Sequence, residues 1–191
     1  MIINICLLMA TLSFSNCDKK QYESYSPSGD KKIPVSEIKE HLTIHSTIAD
    51  VLTHPAVDGV SRYILPLEWG YDADMQLSNV SQLLPYHNYI DAERCVGYIN
   101  QMIDSVATGR RIYYDLGRED AGLFFFRGRP GAPFAVICPG GGFSYVGSIH
   151  EGFPHALVLS QMGYNVFVIQ YQTGSAQIAC EDLAAGIEYI F

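Results

Sequence analysis

Two kinds of hydrophobic pattern alternate in the last third of the chain. Uninterrupted apolar runs at 134–138 and 165–171 indicate strands that are buried on both faces. The segments that follow them, 151–162 and 176–191, carry apolar residues at helical spacing, and Gly163 is placed to end the first of these helices. Strands that alternate with helices in this way predict a parallel α/β sheet.

The predicted helix over 176–191 has an apolar side and a charged side. Its apolar side holds Ile178, Leu183, Ile187 and Ile190. The charged residues expected to face solvent are Glu181, Asp182 and Glu188. This division predicts that the apolar side packs on the sheet and that the charged side remains in water.

Another helix is predicted over 92–108. Asp91 is a suitable N-cap residue, and Gly109 suits the position just after the helix. The apolar side of this helix consists of Cys95, Ile99, Met102, Ile103 and Val106. Two strands are predicted next, at 111–115 and 122–127, joined by a polar loop.

The pattern is weaker before residue 92. Residues 46–53 predict a short helix, and 54–90 predict irregular chain. These segments and the 92–108 helix form a helical and irregular extension, 34–110, which precedes the sheet domain at 111–191.

Length and charge limit the possible functions. A chain of 191 residues with 48% hydrophobic and 17% charged residues is typical of one globular domain, or at most two. The formal net charge of −8 argues against nucleic acid or an anionic membrane surface as the main partner. The sequence therefore predicts no nucleic-acid partner.

The N-terminus has the features of an export signal. The first 16 residues carry no charge, and 2–12 form an apolar core that is short for a membrane span. Residues 1–17 resemble a bacterial lipoprotein signal peptide with Cys17 as the lipidated residue, and 18–33 would be a polar tether. We expect export to the bacterial cell envelope and a membrane contact through the lipid on Cys17. Plain secretion and a misassigned start are the alternatives.

The most informative segment is the turn Pro139-Gly140-Gly141-Gly142-Phe143, directly after the first buried run. Glycine has no Cβ, so its backbone N–H groups can approach a ligand closely. Converging N–H groups at a strand end can form an oxyanion hole. A plain structural turn and a phosphate cradle are the alternatives, although the spacings of the known phosphate motifs are absent from the sequence.

The residues around this turn resemble the α/β-hydrolase superfamily, in the bacterial esterase and lipase branch with a Gly-Gly-Gly turn. The resemblance rests on the turn at 139–143, on Gly163-Tyr-Asn-Val-Phe-Val168 and on Glu181-Asp-Leu-Ala-Ala185. It covers 111–191 well and 54–110 more loosely. It implies the N-terminal half of a hydrolase sheet, with two opening strands followed by strand, helix, strand and helix.

The resemblance also implies a mechanism and a site. A serine on a Gly-x-Ser-x-Gly elbow, with a His and an Asp, would attack a small ester or an acylated carbohydrate without a cofactor or a metal. The N–H groups of Gly141 and Gly142 would bind the oxyanion. Phe143 and Tyr145 would line the acyl pocket or simply pack. The family places all three triad residues beyond Phe191, so we expect this chain alone to be inactive.

Two positions depart from the family pattern. Pro139 stands where many relatives have a histidine, so a side chain that braces the turn is missing. Gln172 follows Tyr171 where relatives often have arginine. Neither departure excludes the family.

An incomplete sheet also has consequences for stability. We expect the strand at 165–171 to be an unpaired edge with its apolar residues at 166–169 uncovered. Such a chain would fold poorly alone. A non-catalytic binding or structural lipoprotein, and a non-functional truncated product, are the alternative functions.

The remaining reactive residues are weaker candidates. Ser144 follows the turn but is not on an elbow, so a nucleophilic role is disfavoured. Neither His150 with His155 nor His41 with His45 is accompanied by further ligands of a metal site.

Two further groups have unremarkable interpretations. The acidic group Glu68, Asp72 and Asp74 lacks the ligand spacing of a calcium loop and is predicted to be a solvated turn. The remaining cysteines are predicted to be buried thiols: Cys95, Cys138 and Cys180.

Overall fold

A computed structural model describes residues 7–10, 38–84, 86 and 90–191. The chain forms two compact units, one that ends at Ile112 and one that contains Tyr113–Phe191 together with residues 7–10. Apart from 7–10, the predicted signal peptide lies outside the described residues, as do Cys17 and the tether at 18–33. No described helix combines the length and the apolar character needed to cross a bilayer.

The described residues of the unit before Tyr113 include the α-helices α1 (Ile48–Thr53) and α2 (Ala92–Ala107). This unit also has the 3-10 helical segments Ser61–Tyr63 and Leu77–Leu83. Most of its remaining described chain is irregular, as the sequence predicted.

Side-chain caps explain where the two helices begin. Thr47 and Asp50 form a reciprocal capping box at α1, in which each side chain accepts from the backbone N–H of the other. Asp91 caps α2 by accepting from the N–H of Arg94, which confirms the predicted N-cap. Helix α2 ends before Gly109, whose φ of 77° suits glycine.

The apolar side of α2 is buried as predicted, except for the half-buried Val106. Burial raises the pKa of the Cys95 thiol to about 12. Cysteine burial elsewhere is lower than predicted. Cys138 is half-buried, and Cys180 is exposed on the outer side of its helix, so the prediction of a buried thiol at Cys180 is wrong.

The unit from Tyr113 onward is an α/β sheet domain, as predicted, but its sheet is mixed and not parallel throughout. Four of its strands come from this segment of the chain: β2 (Tyr113–Arg118), β3 (Ala121–Phe126), β4 (Phe134–Ile137) and β5 (Asn165–Gln170). A short strand from the N-terminus, β1 (Leu7–Ala10), pairs with the outer edge of β4.

The strand order is β1-β4-β5-β3-β2. Strands β4 and β5 are parallel, whereas β3 runs antiparallel to β5 and forms a hairpin with β2. β5 therefore lies inside the sheet, and its residues 166–169 are at most 7% exposed. The expectation that this strand would be an uncovered edge is wrong, because the opening strand β3 pairs with its free side.

Two helices follow the parallel strands in sequence: α3 (Phe153–Gln161) comes after β4, and α4 (Ala176–Ile190) comes after β5. Helix α3 starts two residues later than predicted because Ser148–Gly152 form a π-helical turn before it. Ser175 caps α4 by accepting from the N–H of Ile178.

The buried side of α4 agrees with the predicted one in part. Its fully or nearly buried residues are Ala179, Asp182, Gly186 and Ile190. Ile178 is 36% exposed, whereas Asp182 is completely buried. The predictions were wrong for these two residues. Asp182 can face inward because Arg118 of β2 and the backbone of Gln172 are its hydrogen-bond donors.

Candidate functional site at the glycine turn

The glycine turn lies where two parallel strands end. Because β4 and β5 run in the same direction, the loops after them meet at one edge of the sheet, the edge at which α/β sheets commonly bind ligands. The N–H of Gly174, after β5, donates to the carbonyl of Phe143 at 2.7 Å. The Tyr171 hydroxyl donates to the carbonyl of Pro139 at 2.8 Å. These contacts fix both ends of the turn.

The turn has an unusual backbone conformation. φ is 142° at Gly141, 59° at Gly142 and 61° at Phe143. At Gly141 a Cβ would also overlap the carbonyl oxygen of Tyr145, so glycine is required there for two reasons. Phe143 is one of two described non-glycine residues with a positive φ, a conformation that costs about 1–3 kcal/mol and is concentrated at functional sites.

The amides of the turn differ in their hydrogen bonding. The N–H of Gly140 donates to Oε2 of Glu151 at 2.7 Å. Among the described residues, no acceptor contacts the N–H of Gly141 or Gly142. These two glycines, the ones the sequence singled out, can therefore donate to an oxygen that carries negative charge.

The two aromatic residues of the predicted acyl pocket have different environments. Phe143 is 41% exposed, and its ring contacts the edge of Tyr171 at a centroid distance of 6.3 Å. Tyr145 is 5% exposed and its ring stacks on His150. Phe143 is thus placed to touch a ligand at the turn, whereas Tyr145 packs beneath it.

The nearby nucleophile and metal candidates are not assembled into a site. Ser144 is exposed, and no described acid or base is hydrogen-bonded to its hydroxyl. His155 contacts the carbonyl of Glu151 through Nδ1, and His41 pairs with Asp104. Within the described part of the chain, no three His, Cys, Asp or Glu side chains are grouped as metal ligands would be.

A buried ion pair supports the end of β5. Asp182 has no exposed surface, and its Oδ1 accepts from Nε of Arg118 at 2.5 Å. Its Oδ2 accepts from the backbone N–H of Gln172 at 2.8 Å, and the Gln172 amide reaches both oxygens. The hydrogen bond to Asp182 raises the pKa of the Arg118 guanidinium further above its ordinary value.

The cation of this ion pair comes from a distant strand. Arg118 of β2 places its guanidinium next to Gln172 and Asp182. Sequence reasoning missed the pair because Arg118 and Asp182 are 64 positions apart. The position of Asp182 between Ala179 and Gly186, at helical spacing on one side of α4, was the available signal.

The acidic group in the other unit is a turn. Glu68, Asp72 and Asp74 are exposed, and Oδ1 of Asp72 accepts from the N–H of Asp74 at 3.0 Å. This arrangement agrees with the predicted solvated turn.

Comparison of the chain with protein-family models, with curated proteins and with solved structures finds no match. The case for a function therefore rests on the geometry of the glycine turn and on the sequence resemblance.

Proposed function

We propose that this chain provides the oxyanion-binding half of a serine ester hydrolase of the α/β-hydrolase type. The observation that carries the proposal is the pair of N–H groups at Gly141 and Gly142, without an acceptor among the described residues, at the carboxyl end of β4. Their role would be to stabilise the negative oxygen that forms when a serine attacks an ester carbonyl. The nucleophile, acid and base would lie outside residues 1–191.

The surroundings of the turn support a neutral substrate group over a phosphate. The Glu151 carboxylate lies 2.7 Å from the first amide of the turn, the position that a phosphate oxygen would need. Two negative groups at this distance repel each other. A small neutral ester, or an acyl group on a carbohydrate, avoids that repulsion in the ground state.

The exposed ring of Phe143 supports an acyl group as the ligand. It is a large apolar surface next to Gly142, and the hydrogen bond from Gly174 holds its backbone in place. Burial of such a ring against a substrate contributes about 25 cal/mol for each Å² of apolar area removed from water.

The experiment that tests the proposal begins with the coding sequence downstream of the Phe191 codon. We expect a strand pattern and Gly-x-Ser-x-Gly in frame or one shift away. The longer product should then be labelled by a fluorophosphonate probe, and Gly141→Ala should lower its esterase kcat by about 10²–10³. Absence of the motif, or labelling of residues 1–191 expressed alone, would overturn the proposal.

We also propose that the chain is exported and anchored to the cell envelope by a lipid on Cys17. The uncharged apolar N-terminus and the polar segment after Cys17 support this location. Metabolic labelling with a radioactive fatty acid tests it, with Cys17→Ser as the variant. Equal labelling of the variant and the natural chain would contradict the anchor.

A further inference from the structure

One side chain outside the proposed catalytic groups contacts the glycine turn at several points. Glu151 lies in the π-helical turn Ser148–Gly152, just before α3. Its carboxylate accepts the N–H of Gly140 at 2.7 Å, and its own N–H donates to the carbonyl of Gly147 at 2.8 Å. The N–H of Gly147 donates to the carbonyl of Gly140 at 2.9 Å. Three hydrogen bonds thus connect Gly140, Gly147 and Glu151 in a closed ring.

Glu151 packs closely against both of the other corners of this ring. A Cβ on Gly140 would overlap Oε2 of Glu151. A Cβ on Gly147 would lie 3.2 Å from Cε1 of His150 and 3.3 Å from both Cγ and Cδ of Glu151. Both glycines thus leave room for the Glu151 side chain.

Several polar groups surround Glu151 at the start of α3. Its backbone lies immediately before the N-terminus of α3, where the helix dipole is positive. Nε2 of His150 is 3.8 Å from Oε1, and Nδ1 of His155 contacts the Glu151 carbonyl at 2.7 Å. A hydrogen bond from a backbone amide to a carboxylate is worth more than one to a neutral acceptor.

We propose that Glu151 is the positioning residue of the glycine turn. It accepts the Gly140 N–H and fixes the Pro139–Gly140 peptide at the start of the turn, while the N–H groups of Gly141 and Gly142 remain for a ligand. In this role Glu151 replaces the bracing side chain that Pro139 lacks. A catalytic role for the turn rests on the proposed function. The hydrogen bond by which Glu151 holds Gly140 does not depend on that function.

The test follows the backbone amides of the turn by nuclear magnetic resonance and requires no enzyme activity. In the natural chain the Gly140 amide proton should lie downfield and should move as carboxylates titrate in acid. Glu151→Gln keeps an acceptor, so the Gly140 amide should remain protected but lose this titration. Glu151→Ala should raise hydrogen exchange at Gly140 by about 10- to 100-fold, because a hydrogen bond to a charged group is lost.

The control is Glu188→Gln, which removes an exposed carboxylate of α4 and should leave the Gly140 amide unchanged. Persistence of the acid titration in Glu151→Gln would assign it to another group and overturn the proposal. Unchanged exchange at Gly140 in Glu151→Ala would also overturn it. If Glu151→Ala does not fold, comparison of the acid titration of the Gly140 amide in the natural chain and in Glu151→Gln still tests the proposal.

These outcomes are independent of the hydrolase proposal. A chain without any downstream serine motif can still show Glu151-dependent protection of Gly140, in which case the positioning role stands and the catalytic one fails. In a complete active hydrolase, Glu151→Ala should lower kcat more than it raises KM, and Glu151→Gln should restore most of kcat.

Discussion

Removal of the cation from the buried ion pair should destabilise the sheet domain more than neutralisation of the anion. Asp182 has no exposed surface, whereas the Arg118 side chain is 36% exposed. Arg118→Ala leaves the carboxylate buried with only the neutral donors of Gln172 among the described residues. Asp182→Asn leaves a guanidinium that can turn toward water or toward Glu181, 3.6 Å away.

The two costs can be estimated from these surroundings. Arg118→Ala leaves a buried carboxylate without its charged partner, so its cost should exceed that of Asp182→Asn. Asp182→Asn weakens hydrogen bonds to a charged group but buries no unpaired charge, so its cost is about 1.5–3 kcal/mol. Since whole domains are stable by about 5–15 kcal/mol, both losses are measurable.

Urea unfolding at neutral pH, followed by circular dichroism, measures both losses. The control is Arg110→Ala, because Arg110 is exposed and no described side chain is hydrogen-bonded to its guanidinium. The double variant Arg118→Ala with Asp182→Asn should be more stable than Arg118→Ala alone, since it removes the unpaired charge. Equal losses in the two single variants would refute the charge argument. If Arg118→Ala lowered the free energy of unfolding no more than Arg110→Ala does, the ion pair would not stabilise the domain.

Three further predictions use other parts of the chain. Gly141→Ala should lower the free energy of unfolding by about 1–3 kcal/mol. Gly97→Ala, inside α2 with open space around the new Cβ, should raise the free energy of unfolding by about 0.5–1 kcal/mol. Urea midpoints that move in the same direction in the two variants would contradict this. The pKa of Cys95 is about 12 in the folded chain against an ordinary 9.0. The buried protonated thiol therefore makes its full contribution to the free energy of unfolding below about pH 9, and this contribution is lost as the pH rises toward 12. Cys95→Ala should remove that alkaline decline in unfolding free energy, and a thiol reagent should modify the exposed Cys180 before Cys138 and Cys95. Trp69, the single tryptophan, is 41% exposed in a loop with three carboxylates, so caesium should quench its fluorescence more than iodide does.

Local signals in the sequence were sufficient for most helices and strands. The N-cap at Asp91, the terminating glycine at 109 and the apolar side of α2 depend on neighbours within a few positions, and all are present. The two buried runs became β4 and β5 within one residue of their predicted bounds. The α/β class followed from the same local patterns.

Strand order and buried polar contacts could not be predicted in this way. The place of β5 between β4 and β3 depends on pairing with a strand that precedes it by about 40 positions. Asp182 was assigned to solvent because a carboxylate is seldom buried without a partner, and its partner is remote in sequence. Helical periodicity alone therefore misplaced Asp182 and Ile178 on α4, although Ile190 is buried as predicted.

The candidate site was predictable in part. Three consecutive glycines after a buried strand marked the position of the turn. The contact between Gly140 and Glu151 was not visible, because a glutamate just before a helix normally indicates a favourable interaction with the helix dipole and nothing more. Only the folded turn brings the carboxylate to the glycine amide.

The central position of β5 affects how the sheet domain can form during synthesis. The β2–β3 hairpin and β4 leave the ribosome before β5, but neither pairs with the other without it. At about 5–20 residues per second, the apolar strands β3 and β4 wait on the order of seconds for their common partner. During that interval they are targets for chaperones and for aggregation, so slower translation between residues 127 and 164 should lower the yield of folded protein.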